Sequence, residues 1–178
     1  IDHRRELNNT MSTLHVENLK GPTSGANANK IIVPSGQTLT APGHVVQAVY
    51  NTNNLMTSTT STSYQDLLSV SFTPKFDNSM LFIISTIRYQ EATSNNDIKV
   101  RITHDGTNLV DINRYFNYSG DSNLIQTSTI QAFLSSTGST SARDIKVQAG
   151  QYTTGTSYFN VNGTTGNECS LSIQEIAQ

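Results

Sequence analysis

Charged residues are scarce in this 178-residue sequence. They make up 13% of the chain, about half the fraction usual in globular domains, and the net charge is −2. No basic stripe occurs, so the sequence predicts no nucleic-acid partner. No apolar run approaches the roughly 20 residues that a membrane-spanning helix needs, which predicts no membrane insertion.

Cysteine is limited to Cys169, which excludes an intrachain disulfide and a zinc site built from several cysteines. Cys169 begins the alternating run CSLSIQEI, a position typical of a buried structural thiol. The histidines form no HxH or HExxH pattern, so no metal ion or other cofactor is expected. His104 and Asp105 are adjacent in sequence, and we interpret them as lining a turn.

The motifs of common enzyme classes are missing as well. The glycines form neither a P-loop nor a GxGxxG fingerprint, and no GxSxG nucleophile elbow occurs. Glycoside hydrolysis needs two carboxylates across a cleft, and no acid pair stands out among the carboxylates, several of which lie in or beside predicted turns. The sequence therefore predicts a protein that is not an enzyme.

Threonine, serine and asparagine are abundant instead. Threonine favours strands, whereas serine and asparagine favour turns. A disordered chain usually lacks long apolar runs, but this one contains such runs at 67–72 and 81–84. The composition therefore predicts an all-β domain with many turns and a hydrophobic core.

The most apolar stretch, LLSVSFTPKFDNSMLFIISTIRY at 67–89, contains two predicted strands. In the first, Leu68, Val70 and Phe72 alternate with serines, which is the period of a half-buried strand. Pro74 ends this strand, and KFDNS turns the chain. MLFIISTIRY is then almost continuously apolar, which favours either a central strand covered on both faces or a strand at a subunit contact.

Further alternating segments continue to Ile176. HDGT joins two of them, and Asp-Gly between alternating runs predicts a β-hairpin whose central residues favour positive φ. In LIQTSTIQAFL the apolar anchors are Ile125, Ile130 and Phe133. DIKV occurs at 97–100 and 144–147, and we expect both copies to begin strands on exposed sheet edges, where charge discourages unwanted pairing.

These segments predict the fold class. About eight or nine strands between His44 and Ile176, separated by frequent turn signals, indicate an antiparallel β-sandwich. A jelly-roll-like arrangement is preferred to an immunoglobulin-like one, because the chain has no tryptophan and a single cysteine.

Residues 1–43 differ from the rest of the chain. They hold three of the four prolines and too little apolar sequence for a core of their own. We predict an N-terminal stalk or virion-anchoring segment at 1–43, stabilised by other copies or a larger assembly, and a jelly-roll-like domain at 44–178. MSTLHVENL begins at Met11, so residues 1–10 are either an added leader or the remnant of a longer chain.

One polar-aromatic cluster, NRYFNYSGDSN at 113–123, suits a sugar ligand. Aromatic faces stack on sugar rings, and amide, carboxylate and guanidinium groups bond to hydroxyls. The predicted glycan-binding residues are Arg114, Tyr115, Asn117, Tyr118 and Asp121. The alternative is the end of a strand whose alternate aromatic side chains enter the core. Tyr152 and Tyr158, which flank TTGTS, are a second and weaker candidate.

The chain resembles the β-sandwich modules of bacteriophage virion proteins of the tail-fibre, head-fibre or decoration type. The resemblance covers residues 12–176 and rests on VSFTPKFDNSMLFIISTIRY, VRITHDGTNLV, the closing CSLSIQEI and the leading STLHVENLKG and KIIVPSGQTLTAPGHVVQ. It implies a homotrimer, attached to other virion proteins through the N-terminal segment, with the sandwich pointing outward. It carries no catalytic motif.

The resemblance also implies location in a virion that is assembled in the host cytoplasm. It further implies that the outward sandwich recognises a host receptor, for which we predict a cell-surface glycan. Two non-enzymatic alternatives stay open: a capsid decoration protein without a receptor role, and a free carbohydrate-binding lectin-like module. A depolymerase on a fibre is the enzymatic alternative, but such activity usually needs larger β-helical domains than this chain could form.

Overall fold

The computed structural model describes most of the chain after residue 40. The described residues are 22–26, 28, 30, 32–33, 35, 41–55, 57–91, 97–116, 125–135, 137–153, 155–160 and 169–178. The chain divides into two units, residues 1–39 and 40–178. Within the described ranges, no helix is long and apolar enough to cross a membrane. The predicted stalk at 1–43 falls mostly outside these ranges and stays a prediction.

All the described regular structure is β-strand, as the composition predicts. The strands are β1 (Val45–Asn53), β2 (Thr57–Thr59), β3 (Gln65–Phe72), β4 (Met80–Glu91), β5 (Asp97–His104), β6 (Thr107–Phe116), β7 (Ile125–Leu134), β8 (Arg143–Gln151), β9 (Ser157–Phe159) and β10 (Cys169–Ile176).

The strands form two sheets in which every pairing is antiparallel. The six-stranded sheet has the order β1-β10-β4-β9-β2, with β7 on the other side of β4. The four-stranded sheet has the order β3-β8-β5-β6. Side chains from the inner faces of both sheets form a single buried cluster, so the domain is a two-layer sandwich.

Two positions of the six-stranded sheet are each filled by two short strands. Along one side of β4, β10 pairs with residues 80–86 and β9 pairs with residues 89–91. In the same way β1 pairs with β10, and β2 pairs with β9. The ten strands therefore occupy eight positions, ordered 1-8-3-6 in one sheet and 2-7-4-5 in the other. This is jelly-roll connectivity, and it confirms the predicted fold class.

Asn160 closes the break between β9 and β10. Its backbone N–H donates to the Arg88 carbonyl at 2.9 Å, which continues the pairing with β4. Its side-chain oxygen accepts from the Cys169 N–H at 3.1 Å, and its amide donates to the Leu55 carbonyl at 2.8 Å. Asn160 has a φ of 59°, a left-handed conformation that asparagine tolerates better than most residues. One buried residue, through its backbone N–H and its side-chain amide, thus joins three neighbouring strand positions.

Alternation places the core as predicted in β3, where Leu68, Val70 and Phe72 are buried while Ser69 and Ser71 are exposed. Side chains two positions apart along a strand lie on the same face of the sheet. The alternation therefore directs Leu68, Val70 and Phe72 toward the core. Cys169 is also fully buried. Burial raises the pKa of its thiol, so the side chain is a core residue rather than a reactive nucleophile.

The Asp-Gly hairpin between β5 and β6 is confirmed. Asp105 and Gly106 have φ values of 48° and 80°, as a two-residue turn of type I′ requires. His104 Nε2 lies 3.5 Å from Asp105 Oδ2, so the pair lines the turn. Asp105 also accepts from the Asp144 N–H at 2.8 Å and from Arg143 Nη1 at 3.1 Å. The Asp144 N–H is the main cause that lowers the pKa of Asp105.

The expectation for the two DIKV copies is wrong. They belong to β5 and β8, which are adjacent inner strands of the four-stranded sheet rather than edges. Asp97, which begins the first copy, is buried. The alternation of DIKV indicates a strand with one buried face, but it contains no information about how many neighbours the strand has.

The connection from β3 to β4 passes from one sheet to the other and is held by a buried carboxylate. Glu175 of β10 accepts from the backbone N–H groups of Lys75 at 2.9 Å and Phe76 at 3.0 Å. Ser79 Oγ and Gln47 Nε2 each donate to it at 2.6 Å. Burial alone would raise the pKa of Glu175, but these four donors lower it below its usual value. Four uncharged donors therefore stabilise the ionised carboxylate of Glu175 where the two sheets meet.

Candidate functional site

The predicted glycan site lies largely outside the described residues. Arg114 and Tyr115 belong to β6, the edge strand of the four-stranded sheet, but only their backbone is described. The other three residues, Asn117, Tyr118 and Asp121, follow β6 and are outside the described ranges. The glycan site therefore stays a prediction.

The weaker candidate pair does not share a sheet. Tyr158 lies in β9 of the six-stranded sheet, between Ser58 of β2 and Gln90 of β4. Tyr152 directly follows β8 of the four-stranded sheet and is exposed. The two tyrosines therefore lack the common face that stacking on one sugar would need.

The described carboxylates are engaged in ways that suit a structural role. The pKa of Asp66 is lowered, mainly because Gln148 and Lys146 donate to it, and the pKa values of Asp105 and Glu175 are lowered as described above. A general acid at neutral pH needs a raised pKa. Within the described part of the chain, no group of three His, Cys, Asp or Glu side chains could hold a metal ion.

The outer face of the four-stranded sheet carries a continuous polar network. We call it the charged face; its charged members are Asp66, Lys99, Arg101, Asp111, Asp144 and Lys146. Asp66 accepts from Gln148 Nε2 and, at 2.8 Å, from Lys146 Nζ. Gln148 in turn accepts from Arg101 Nε at 2.7 Å. The row runs straight across the sheet because Asp66, Gln148, Arg101 and Asp111 are opposite one another in register.

Tyr64 covers part of the charged face. The Arg101 guanidinium lies 3.9 Å and the Lys99 ammonium 4.3 Å from its ring centroid, and its hydroxyl donates to Asp111. Burial is the main cause that raises the pKa of Tyr64, followed by the bond to Asp111. Tyr64 thus links two cations to a carboxylate on the neighbouring strand.

A glycine lets the segment that carries Tyr64 lie across β8. A Cβ atom at Gly150 would be 2.7 Å from the Ser63 carbonyl oxygen, which is closer than side chains tolerate. The Gln151 N–H donates to the Ser61 carbonyl at 2.9 Å and fixes the same segment. The charged face is therefore held by the chain's own donors and acceptors, and its six formal charges sum to zero.

The outer face of the six-stranded sheet is different. We call it the apolar face, defined by Tyr50, Met80, Phe82, Ile84, Phe133 and Ile176. Phe82 and Phe133 are opposite in register and stack, with ring centroids 4.7 Å apart and planes inclined by 17°. Phe133 retains 59% and Tyr50 67% of its accessible surface. Among the described outward positions of this sheet, Arg88 alone carries a charge.

The structure shows that β4, the strand of MLFIISTIRY, is central but is not covered on both faces by this chain. β4 is central, with β10 and β9 on one side and β7 on the other. Its inward side chains are fully buried, but Phe82 and Ile84 on its outward side are only half-buried. The chain itself covers one face of β4 and not the other, and the subunit contact stays a prediction.

Of the three apolar anchors predicted in β7, Ile130 enters the core, Ile125 is partly buried and Phe133 is exposed. Ile130 is buried, whereas Phe133 is exposed on the apolar face. Positions 130 and 133 differ by an odd number, so their side chains must point to opposite faces of a strand. Counting from Ile130 along the strand therefore identifies Phe133 as an outward residue from the sequence alone. No sequence pattern identifies Tyr64 or Gly150 as part of the charged face.

Comparison with known proteins does not assign a family. No family model matches the sequence, and no curated protein matches it. Latent PorU from Porphyromonas gingivalis is similar at a TM-score of 0.45 and 7% identity, over 84% of this chain and 15% of that one. The protein of T=1 particles derived from infectious bursal disease virus is similar at 0.45 and 11% identity, over 88% and 44%. The VP2 subviral particle of that virus gives 0.42 and 11%, over 88% and 46%.

This chain spans less than half the length of each of these three proteins. At such TM-scores and identities, the likenesses give the chain neither a family nor a function.

Proposed function

We propose that this chain is a non-enzymatic structural protein of a bacteriophage virion, a fibre or surface appendage that works in several copies. The proposal joins the sequence resemblance to a fold that suits it, since jelly rolls are common in viral capsid and lectin domains. In this proposal the segment at 1–43 attaches the chain to other virion proteins, and the sandwich points outward.

The observation that carries the proposal is the apolar face. Monomeric proteins rarely expose large contiguous apolar patches, and larger ones mark interaction sites. Stacked Phe82 and Phe133, with Ile84 beside them, form an almost uncharged apolar patch on the central strand β4 and the edge strand β7, flanked by Gln131 and Gln174. A second protein surface covers such a patch at little electrostatic cost, because Arg88 is the one charge among the described outward positions of the sheet.

The mass of the protein in solution tests the proposal. Light scattering at micromolar concentration should show an oligomer, and dilution should lower both its mass and its thermal stability together. The resemblance implies three copies, whereas the strand edge described below implies an even number. A monomer over the whole concentration range, with no virion protein that binds it, would contradict the proposal.

Glycan binding is the finer part of the proposed function. It rests on residue chemistry at Arg114, Tyr115, Asn117, Tyr118 and Asp121, where aromatic faces stand beside polar groups. Several weak sugar contacts would add through the copies of the assembly. A decoration protein without a receptor role, or a free lectin-like module, remains the alternative to a receptor-binding appendage.

A glycan array separates these functions. The receptor proposal expects reproducible binding that Tyr118→Ala abolishes and that Tyr152→Ala leaves unchanged. A blank array with the intact oligomer favours the decoration protein. Binding by an isolated monomer favours the lectin-like module, since that function needs no assembly.

A further inference from the structure

The sandwich has four edges, and three of them carry devices that block pairing with another strand. The edge strands are β1, followed by the short β2, and β7 in the six-stranded sheet, and β3 and β6 in the four-stranded sheet. Pairing shifts register once at β1, once at β3 and twice at β6. Bulges and charges at an edge prevent the addition of a further strand.

The edges β1 and β3 are further closed by side chains. Amide groups of β1 donate to backbone carbonyls of β3 and of the residue that follows it. The three bonds are Gln47 Nε2 to Thr73 O at 2.8 Å, Asn51 Nδ2 to Ser69 O at 3.4 Å and Asn53 Nδ2 to Leu67 O at 2.9 Å. Strand β3 also carries Asp66, and β6 carries Asp111.

Strand β7 lacks these devices. It pairs with β4 over ten consecutive positions, from Ile125 to Leu134, without a register shift. It contains no charged residue, proline or glycine. Within the described residues, no strand pairs with its other side. A long, regular and uncharged edge presents backbone donors and acceptors to another chain.

We infer that β7 pairs antiparallel with β7 of a second copy of this chain, across a two-fold axis, and extends the six-stranded sheet. This inference rests on the proposed function, because it names the contact through which copies associate. A second copy offers one regular, uncharged edge, which is its own β7. A two-fold contact also places the same strand on both sides, and an uncharged strand does not repel itself.

The apolar face supports this partner. Exposed side chains of β7 alternate along the outer side, and the last of them, Phe133, stacks on Phe82. Joining two β7 strands would place two apolar faces side by side, with Thr129 near the axis, and would leave both faces open to the further protein surface that the proposed function requires. Threonine pairs and pairs of aromatic with aliphatic residues are favourable between adjacent strands.

The experiment compares the same substitution on two edges of one sheet. Thr129→Lys places a charge at the centre of β7, and Thr52→Lys places one on β1; both side chains are exposed and point outward. Thr129→Lys should weaken association about tenfold or more, since like charges would meet across the axis, while Thr52→Lys should leave it unchanged. Sedimentation or light scattering over a dilution series measures both, with circular dichroism to confirm folding.

Hydrogen exchange gives a second measurement that does not depend on a variant. Amides of 125–134 should exchange several-fold more slowly in the assembly than after dilution, and those of 45–53 should not change. If the wild type assembles, Thr129→Lys assembles equally well, and the amides of 125–134 exchange at the same rate in the assembly and after dilution, the inference is overturned and the proposed function stands. A wild-type monomer overturns both. A closed trimer or an open series of sizes, instead of an even-numbered species, overturns the two-fold contact and leaves the proposed function standing.

Discussion

The two outer faces of the sandwich are built from the same kind of alternating strand, but one is polar and hydrogen-bonded within the chain and the other is apolar and partly exposed. On the charged face, each carboxylate described has a donor from the chain itself, and Tyr64 spans two cations and Asp111. On the apolar face, Phe82 and Phe133 contact each other and leave much of their surface exposed. The charged face has its polar groups paired within the chain, whereas the apolar face keeps aromatic rings exposed, which is why the proposed association is assigned to the apolar side.

The largest expected effect concerns Glu175, the buried carboxylate that connects the two sheets and so the two faces. Glu175→Gln replaces an acceptor of four hydrogen bonds with a group whose amide would face donors. We expect a loss of about 2–4 kcal/mol in the free energy of unfolding, measured by urea denaturation. Gln174→Ala, next in sequence but on the outer side, should cost less than about 0.5 kcal/mol. Equal costs for both variants would show that the carboxylate does not join the sheets.

The same variant has a defined pH dependence. The pKa of Glu175 is lower in the folded chain than its ordinary value of 4.5, so its ionised form stabilises the fold above that value. This stabilisation is lost as the pH falls through the folded-state pKa. The difference between wild type and Glu175→Gln should therefore be largest near neutral pH and shrink in acid.

A second change should disturb the charged face and leave association intact. Gly150→Ala places a methyl group 2.7 Å from the Ser63 carbonyl oxygen, so the segment carrying Tyr64 has to move. We expect destabilisation of about 1–3 kcal/mol, as for overpacked sites, with an unchanged oligomer mass. Ser63→Ala alters the neighbouring side chain without that clash and should be close to neutral. A change in mass with Gly150→Ala would show that the two faces are coupled.

The sequence predicted the fold well because the fold depends on local patterns. The period of two in β3, the Asp-Gly turn at Asp105 and the burial of Cys169 were each read from neighbouring residues. Strand order was less accessible, because pairing brings together residues far apart in sequence. The DIKV pattern therefore predicts strands but not their places in the sheet: β5 and β8 are inner strands, not edges.

The candidate surfaces were predicted only in part. The run MLFIISTIRY indicated a subunit contact as one of two alternatives, since an apolar outward side is visible in the sequence itself. The network of Tyr64 was not visible, because it depends on three strands meeting and on the closeness of Gly150 to Ser63. The interruption closed by Asn160 was hidden for the same reason: its partners, Arg88 and Leu55, are distant in sequence.

A third change should act on the apolar face alone. Phe133→Ser removes an exposed ring that stacks on Phe82, so association should weaken about tenfold, equivalent to about 1.4 kcal/mol. Because the ring is largely exposed in one chain, the unfolding free energy of the monomer should change little. Tyr64→Ala is the reciprocal control: it should lower stability and leave association unchanged. Weaker association with Tyr64→Ala would place the contact on the charged face instead.

The smallest expected effect concerns salt and acid. Asp66→Asn removes a partner of Lys146 and Gln148 at a solvent-exposed site, so the cost at neutral pH should be on the order of 0.5 kcal/mol and smaller in concentrated salt. The pKa of Asp66 is lowered from 3.8, so its contribution is present above that value and is lost as the pH falls through the folded-state pKa. Wild type and variant should therefore converge in acid. Association through the apolar face involves no such ion pair and should not weaken with salt. If salt weakened association and did not change the effect of Asp66→Asn, the subunit contact would belong to the charged face and not to the apolar face.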